Sequence, residues 1–209
     1  MRKGIFITFE GIDASGKTTQ VKRAVQYLRR KGFNVLFLRE PGGEPVSEQI
    51  RKILLKSKSS INPVTELLLY LASRSQLIEK KIIPALKGKK VVVCDRFSDS
   101  TLAYQGYGRG LDKDWIKNLN KKATLGVKPD LTLLIDVPLK VYTKRAKLKK
   151  NKDRLEKENL IFYKRIRKGY FEIARQDKKR VKIIDGSGSI KATWEKVKAT
   201  IDRFLKIEE

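Results

Sequence analysis

The chain has 209 residues, 40% of them hydrophobic, which is enough to build a core and excludes global disorder. Its 49 Lys and Arg against 23 Asp and Glu leave a formal charge of +26, a field that attracts polyanions. No apolar run reaches the roughly 18 residues of a membrane span, and a single cysteine, Cys94, excludes an internal disulfide framework.

The first residues run straight into an apolar stretch with Glu10 close behind, without the long apolar core or small-residue cleavage site of a secretory signal. With one cysteine, set in the apolar run Val91-Val92-Val93-Cys94, this points to a reducing cytoplasm and to a core residue rather than a reactive thiol. Three readings of the charge compete: nucleic-acid binding, a site for small phosphorylated substrates, and a Lys-rich or hot-habitat proteome. The cations are spread along the chain rather than gathered in a tail, which favours the third.

In chain order, short apolar runs alternate with helical patterns. Strands are expected at 5–9, 35–38, 91–94, 131–135 and 181–184. Helices are expected at 17–31, stopped by Gly32, at 46–56, and at 64–86, bent or ended near Pro84. Further helices are expected at 114–125, 139–147 and 155–176. A last helix follows Gly186-Ser187-Gly188-Ser189, with Ile190, Trp194, Val197, Ile201 and Leu205 on one face. Continuous apolar strands separated by helices give an α/β fold: a five-stranded parallel sheet flanked by helices in three layers, with ligands at the carboxyl ends of the strands. No linker or repeat divides the chain, so 1–209 is expected to be a single domain.

Gly11-Ile12-Asp13-Ala14-Ser15-Gly16-Lys17-Thr18 meets every fixed position of G-x-x-x-x-G-K-[ST] between a strand and a helix. The glycines let successive backbone N–H groups curl around phosphate oxygens, and the helix start adds its positive end. Lys17 brings a full charge to the β- and γ-phosphates, and Thr18 offers a hydroxyl to Mg²⁺. ATP contact is therefore expected from Gly11, Ile12, Asp13, Ala14, Ser15, Gly16, Lys17, Thr18 and Thr19. Asp95, just past the third strand, suits a second ligand of Mg²⁺ or its waters, and Arg96 suits two-point binding of a phosphate. The motif alone names no reaction.

Asp95-Arg96-Phe97-Ser98-Asp99-Ser100-Thr101-Leu102-Ala103-Tyr104-Gln105-Gly106, Arg39-Glu40-Pro41-Gly42-Gly43 and the loop 11–18 together resemble the bacterial thymidylate kinases, P-loop kinases of nucleoside monophosphates. The resemblance continues through 66–76, 129–136 and Asp153-Arg154, and so covers essentially the whole chain. It implies Mg²⁺-dependent transfer of the γ-phosphoryl group of ATP to dTMP, giving dTDP and ADP, by a symmetric homodimer with no membrane or nucleic-acid partner. Tyr70 and Arg74 are four apart on a helix and share a face, so they can offer an aromatic plane and a donor fork to a nucleobase. By resemblance Tyr70, where many relatives have Phe, stacks on thymine, and Arg74 donates to a ring carbonyl.

Ser100 and Tyr104, like Thr101 and Gln105, are four apart and can line one pocket. The resemblance places Thr101 and Gln105 on the base and Tyr104 against the sugar, where it disfavours a ribose 2′-hydroxyl. It also directs Asp13 toward the acceptor 3′-hydroxyl and makes Pro41 a pocket wall. Arg39 and Glu40 stand equally as an ion pair shaping the loop or as ligand contacts. Lys144, Arg145, Lys147, Lys149, Lys150, Lys152 and Arg154 form a basic cluster. The cluster reads either as a solvated loop or as a mobile lid, about 144–156, that lends a cation to the transferring group. No basic residue occurs from Ile12 to Ser15, and family members of that kind carry the basic residues in the lid. Arg145 and Arg154 are the leading lid candidates, Arg145 also as an adenine neighbour and Arg154 as a contact of the transferring phosphate; Lys149 and Lys150 follow. Arg165 and Arg167 stand between packing and phosphate contact. The catalytic set is Lys17, Arg96, Asp13 and Arg154. The alternatives are a kinase for another nucleoside monophosphate or deoxynucleoside, a nucleic-acid-stimulated P-loop ATPase, and a P-loop sensor without turnover.

Overall fold

The computed structural model describes residues 4–56, 60–150 and 153–207. Lys152 of the basic cluster, like positions 151–152 of the expected lid, lies outside the described residues. Five strands, β1 (Ile5–Glu10), β2 (Val35–Arg39), β3 (Val91–Asp95), β4 (Leu131–Asp136) and β5 (Val181–Asp185), form one sheet in the order β2-β3-β1-β4-β5. Every neighbouring pair is parallel, so every return crosses a face of the sheet through a helix.

The central strands owe their position to their continuous apolar sequences. β3 is buried along its whole length, whereas β5 at the edge alternates with exposed Lys182, Ile183 and Asp185. One face carries α1 (Lys17–Arg30) and α9 (Ile190–Leu205), which close Ile7, Phe9, Val93 and Leu133 under Val21, Leu28, Trp194, Val197 and Ile201. The opposite face is covered in two parts. Phe6, Val92 and Cys94 pack with Leu77, Ile78, Ile82 and Phe97. Leu134 and Val137 pack with Tyr163, Ile166, Tyr170 and Ile173 of α8 (Leu160–Gln176). Each such side chain contributes roughly 1.5–3 kcal/mol on burial, and Cys94 is a core residue, as its strand suggested.

Strand positions match the sequence reading to within a residue or two, as do α1, α2 (Pro45–Lys56), α7 (Leu139–Lys147) and α9. The expected helix 64–86 differs. It is α3 (Pro63–Leu77), a π-helical turn (Ile78–Ile82) and α4 (Ile83–Lys87), and Pro84 lies inside α4 rather than ending it. The Ile83 N–H reaches back to the Ile78 carbonyl. This wider turn comes immediately before the proline, which lacks the N–H and clashes with the carbonyl that ordinary α-helical bonding would use. The expected helix 155–176 starts only at Leu160, where Asn159 caps the Phe162 N–H at 2.9 Å. Before it, Asp153 Oδ1 accepts the N–H groups of Leu155 and Glu156 at 3.0 Å and holds a separate turn. α6 (Lys113–Ala123) is capped by Asp112, which accepts from Trp115 N at 2.6 Å, and the chain leaves the helix through Leu125 and Gly126 at positive φ. The short helix around Ser100 is α5 (Ser98–Thr101) followed by a π-helical stretch (Leu102–Gly108). Among the described residues no helix is long and apolar enough to cross a membrane.

The carboxyl ends of β1, β2 and β3 are tied together: Arg96 N donates to Phe9 O and Glu40 N to Asp95 O, each at 2.9 Å. Glu10, Arg39 and Asp95 thus end their strands side by side, where the loops that carry function leave the sheet.

Candidate active site

The loop between β1 and α1 needs its glycines for space as well as for φ. Gly11 has φ 141°, and a Cβ there would lie 2.3 Å from the Ile135 carbonyl oxygen. Gly16 caps α1 at φ 89°, with no side-chain cap and no acid in the first turn. The helix start therefore keeps its N–H groups and positive end for an anion. Lys17 Nζ donates to Asp95 Oδ1 at 2.6 Å and Thr18 Oγ1 to Asp95 Oδ2 at 2.9 Å. Burial pushes the Asp95 carboxyl upward, but Lys17 and Arg96 outweigh it and hold it below the usual carboxylate range. Thr18 and Asp95 are hard oxygen donors in mutual contact. Among the described residues no three or more His, Cys, Asp or Glu group together as a metal cage. This donor set fits Mg²⁺, which keeps its waters and takes one or two carboxylates together with phosphate oxygens.

Asp13 faces out of the loop toward the end of β3. Its Oδ1 accepts from Arg96 Nη2 at 2.6 Å, and its Oδ2 from Tyr104 OH at 2.8 Å and Tyr163 OH at 3.1 Å. Burial raises the Asp13 carboxyl, but Arg96 and Lys17 bring it below its ordinary value. Arg96 has φ 71°, a left-handed conformation costly for a side chain of this size. Its Nη1 donates to Gly11 O at 2.9 Å, Ser100 Oγ at 3.2 Å and Tyr170 OH at 3.3 Å. The guanidinium carbon lies 5.0 Å from the centre of the Tyr104 ring. Beneath this group sits Glu10, fully buried, accepting from Phe97 N at 2.7 Å, Ser100 Oγ at 2.5 Å and Tyr170 OH at 3.0 Å. Burial, with Asp99 nearby, pushes its carboxyl up to about 7.

A cavity of about 280 Å³ opens beside these groups. All nine residues expected on the acceptor side line it: Asp13, Pro41, Tyr70, Arg74, Arg96, Ser100, Thr101, Tyr104 and Gln105. So do Lys17, Thr18 and Asp95, so residues of the phosphate-loop motif and those expected on the acceptor side share one space. Arg74 is 1% exposed and held on three sides. Nε donates to Glu40 Oε2 at 2.7 Å, and Nη1 to Thr101 Oγ1 at 2.8 Å and Asn120 Oδ1 at 2.5 Å. Glu40 is thus the ion-pair partner of Arg74, while Arg39 pairs with Glu48 at 3.1 Å. Burial, followed by Glu66, pushes the Tyr70 hydroxyl pKa up, so it stays neutral.

The basic segment divides by contact. Arg145 Nη1 donates to Ser15 O at 3.1 Å and Nη2 to Gly186 O at 2.9 Å, bracing the phosphate loop from α7. Arg154 Nε donates to Leu54 O at 3.0 Å and its Nη2 to Glu66; it is not among the residues lining the cavity. Lys149 lines the cavity and pairs with Glu156 at 2.5 Å. Arg167 makes a two-point pair with Asp136 at 2.7 and 2.8 Å, a packing role.

Sequence reasoning missed Glu10, Glu66, Asn120, Tyr163 and Tyr170. Asn120 had a signal, being a polar residue one turn beyond Ile116 on the buried face of α6. Tyr163 and Tyr170 are seven apart on the buried face of α8, a spacing that reads equally well as core.

Residues 9–197 match the family model described as thymidylate kinase. The thymidylate kinase of Kosmotoga olearia is 51% identical over 193 residues, 92% of this chain and 93% of that one. That of Geotalea daltonii is 50% identical over 198 residues, 91% and 92% of the two chains. A crystal structure of thymidylate kinase from Ehrlichia chaffeensis superposes with a TM-score of 0.77 at 37% identity, over 95% of this chain and 99% of that one. With this match over most of the chain, on the same phosphate-loop motif and parallel sheet, the chain belongs to the thymidylate kinase family.

Proposed function

We propose that the shared cavity is where this enzyme, an ATP-dependent dTMP kinase by its family, joins its two nucleotides, and that the whole chain acts as one catalytic domain. The carrying observation is that Asp13 and Arg96, from the triphosphate loop and the acceptor side, are bonded at 2.6 Å within that cavity. An oxygen of the dTMP 5′-phosphate attacks the γ-phosphorus of ATP; the bond to the β–γ bridging oxygen breaks, and ADP leaves. The attacking oxygen is already an anion, so no general base is needed, and the chain contains no histidine. The barrier lies in bringing two polyanions together, and positioned cations lower it.

Lys17 exchanges its Asp95 partner for the donor phosphates, and Arg96 takes the acceptor phosphate with its geometry already set by Asp13 and Gly11. Thr18 and Asp95 would hold Mg²⁺, and an ion bound there would supply positive charge against the donor phosphates. Tyr70 stacks on the base, Arg74 donates to a ring carbonyl, Thr101 and Gln105 face the ring, and Ser100 and Pro41 complete the wall. Asp13 reaches the 3′-hydroxyl, and Tyr104, tied to it at 2.8 Å, occupies the place of a ribose 2′-hydroxyl. The segment about 144–156 closes over the phosphates. Arg145 braces the loop on the adenine side, Lys149 is the lid cation with access to the cavity, and Arg154 seats the lid on α3.

We place the enzyme in the cytoplasm, a reading supported by its one buried free cysteine. We further propose a homodimer through α2 and α3, where Val46, Ile53, Val64 and Leu68 are 45%, 51%, 39% and 50% exposed. A coupled assay with ATP, Mg²⁺ and a panel of acceptors tests the function. dTMP should be preferred over dUMP, dCMP and thymidine; equal rates on all four would overturn the acceptor assignment.

A further inference from the structure

Glu66 lies on the same face of α3 as Tyr70 and Arg74, one turn before Tyr70, yet it is fully buried and does not line the cavity. Its Oε1 accepts from Gln105 Nε2 at 2.7 Å and Arg109 Nε at 3.2 Å. Its Oε2 accepts from Arg109 Nη2 at 3.1 Å and from Arg154 Nη2. Arg109 is itself fixed, pairing with Glu158 at 2.6 Å and stacking 4.6 Å from the centre of the Phe162 ring. Between two guanidinium groups the carboxyl of Glu66 remains ionised: burial raises it, but the bonds from Arg109 and Gln105 bring it below its ordinary value.

An ionised carboxylate only accepts hydrogen bonds, whereas an amide offers a donor end and an acceptor end of nearly the same shape. Facing Glu66, Gln105 must turn its Nε2 inward. Its Oε1, with no partner among the described residues, is then the end left for the cavity that Gln105 lines. An unopposed Gln105 could present either end. One end accepts from a ring N–H, as thymine and uracil carry at N3. The other donates to a ring lone pair, as cytosine carries at the same position.

We propose that Glu66 is a specificity-determining positioning residue: it fixes the Gln105 amide with its oxygen toward the base, so that the pocket accepts a ring N–H and refuses a ring lone pair. The inference rests on the acceptor base being seated against Tyr70, Arg74 and Gln105. Glu66 acts only through Gln105 and touches no substrate. A site whose polar group is left unpaired by the wrong base discriminates strongly, and a site free to flip its amide does not.

The test is the ratio of kcat/KM for dTMP to that for dCMP in the full-length enzyme. In Glu66→Gln the residue facing Gln105 can donate as well as accept, and the ratio should fall about tenfold or more. A role in stability alone would lower both values together and leave the ratio unchanged, and an unchanged ratio in the folded variant overturns the proposal. The exchange variant, Glu66→Gln with Gln105→Glu, keeps one carboxylate and one amide with the roles reversed and always presents an acceptor to the ring. It should restore the ratio to within about threefold, and it carries the test if the single variant fails to fold; a ratio still lost in the exchange variant contradicts the proposal. Gln105→Ala separates the underlying reading. If it leaves the ratio intact, the base is not seated on Gln105 and both the seating and the inference fail. If it lowers the ratio while Glu66→Gln does not, the seating stands and the role of Glu66 fails.

Discussion

Asp13 and Arg96, 83 positions apart in the chain, meet at 2.6 Å, and through them the loop after β1 fixes the guanidinium at the end of β3. An acid inside a phosphate loop is unfavourable for a triphosphate alone. Here it accepts from Arg96, Tyr104 and Tyr163. The pair holds the Arg96 guanidinium, whose backbone has φ 71°, and in the proposed mechanism this places in advance the cation that meets the acceptor phosphate.

Tyr104 should control the sugar. Its ring is buried and its hydroxyl fixed on Asp13 at 2.8 Å. Tyr104→Ala opens this space, and the relative use of the ribonucleotide analogue of dTMP should rise about tenfold, in line with what small pocket changes achieve. Competition kinetics with the two acceptors measure this; an unchanged preference would remove Tyr104 from sugar selection.

Glu10 should give the fold a pH dependence near neutrality. Its folded carboxyl is raised from 4.5 to about 7 by burial, so the native state binds the extra proton between those values. This stability is fully present below about 4.5 and is lost as pH rises toward and through about 7. The effect is at most roughly 3 kcal/mol. Thermal unfolding from pH 5 to 8 should show the decline in the native protein and a flatter profile in Glu10→Gln. Parallel profiles would show that Glu10 does not titrate in this window.

Leu68→Glu should separate the proposed dimer. A charge at this exposed apolar position would be buried unpaired on association, a cost of several kcal/mol. Sedimentation should find the native chain as a dimer and the variant as a monomer with an unchanged fold by circular dichroism. A native monomer would end the proposal.

The parallel sheet was legible because Val91-Val92-Val93 and Leu131-Thr132-Leu133-Leu134-Ile135 are apolar on both faces, a pattern that suits strands covered on two sides. The phosphate loop was legible because spacing and context coincide. The π-helical turns at Ile78–Ile82 and Leu102–Gly108 were not, since Pro84 after the first and Gly106 and Gly108 in the second mark a helix that bends or ends, not one whose turn widens. Glu10 ends a strand and Glu66 sits in a helix, and in sequence each resembles a solvated acid. Only the tertiary arrangement puts Ser100 and Tyr170 on the first, and Gln105, Arg109 and Arg154 on the second. Arg154 stood out as a lid cation, yet its partners Leu54 and Glu66 lie 100 and 88 positions away, beyond the reach of any local pattern.

The most direct measurement on the shared cavity is Arg96→Ala, with ATP binding by calorimetry set beside steady-state transfer to dTMP. The variant should bind ATP within about twofold of the native enzyme and lose about 10³-fold or more in kcat/KM for dTMP, close to 4 kcal/mol of transition-state stabilisation. Undiminished transfer, or an equal loss of ATP affinity, would contradict the placement of the acceptor phosphate on Arg96.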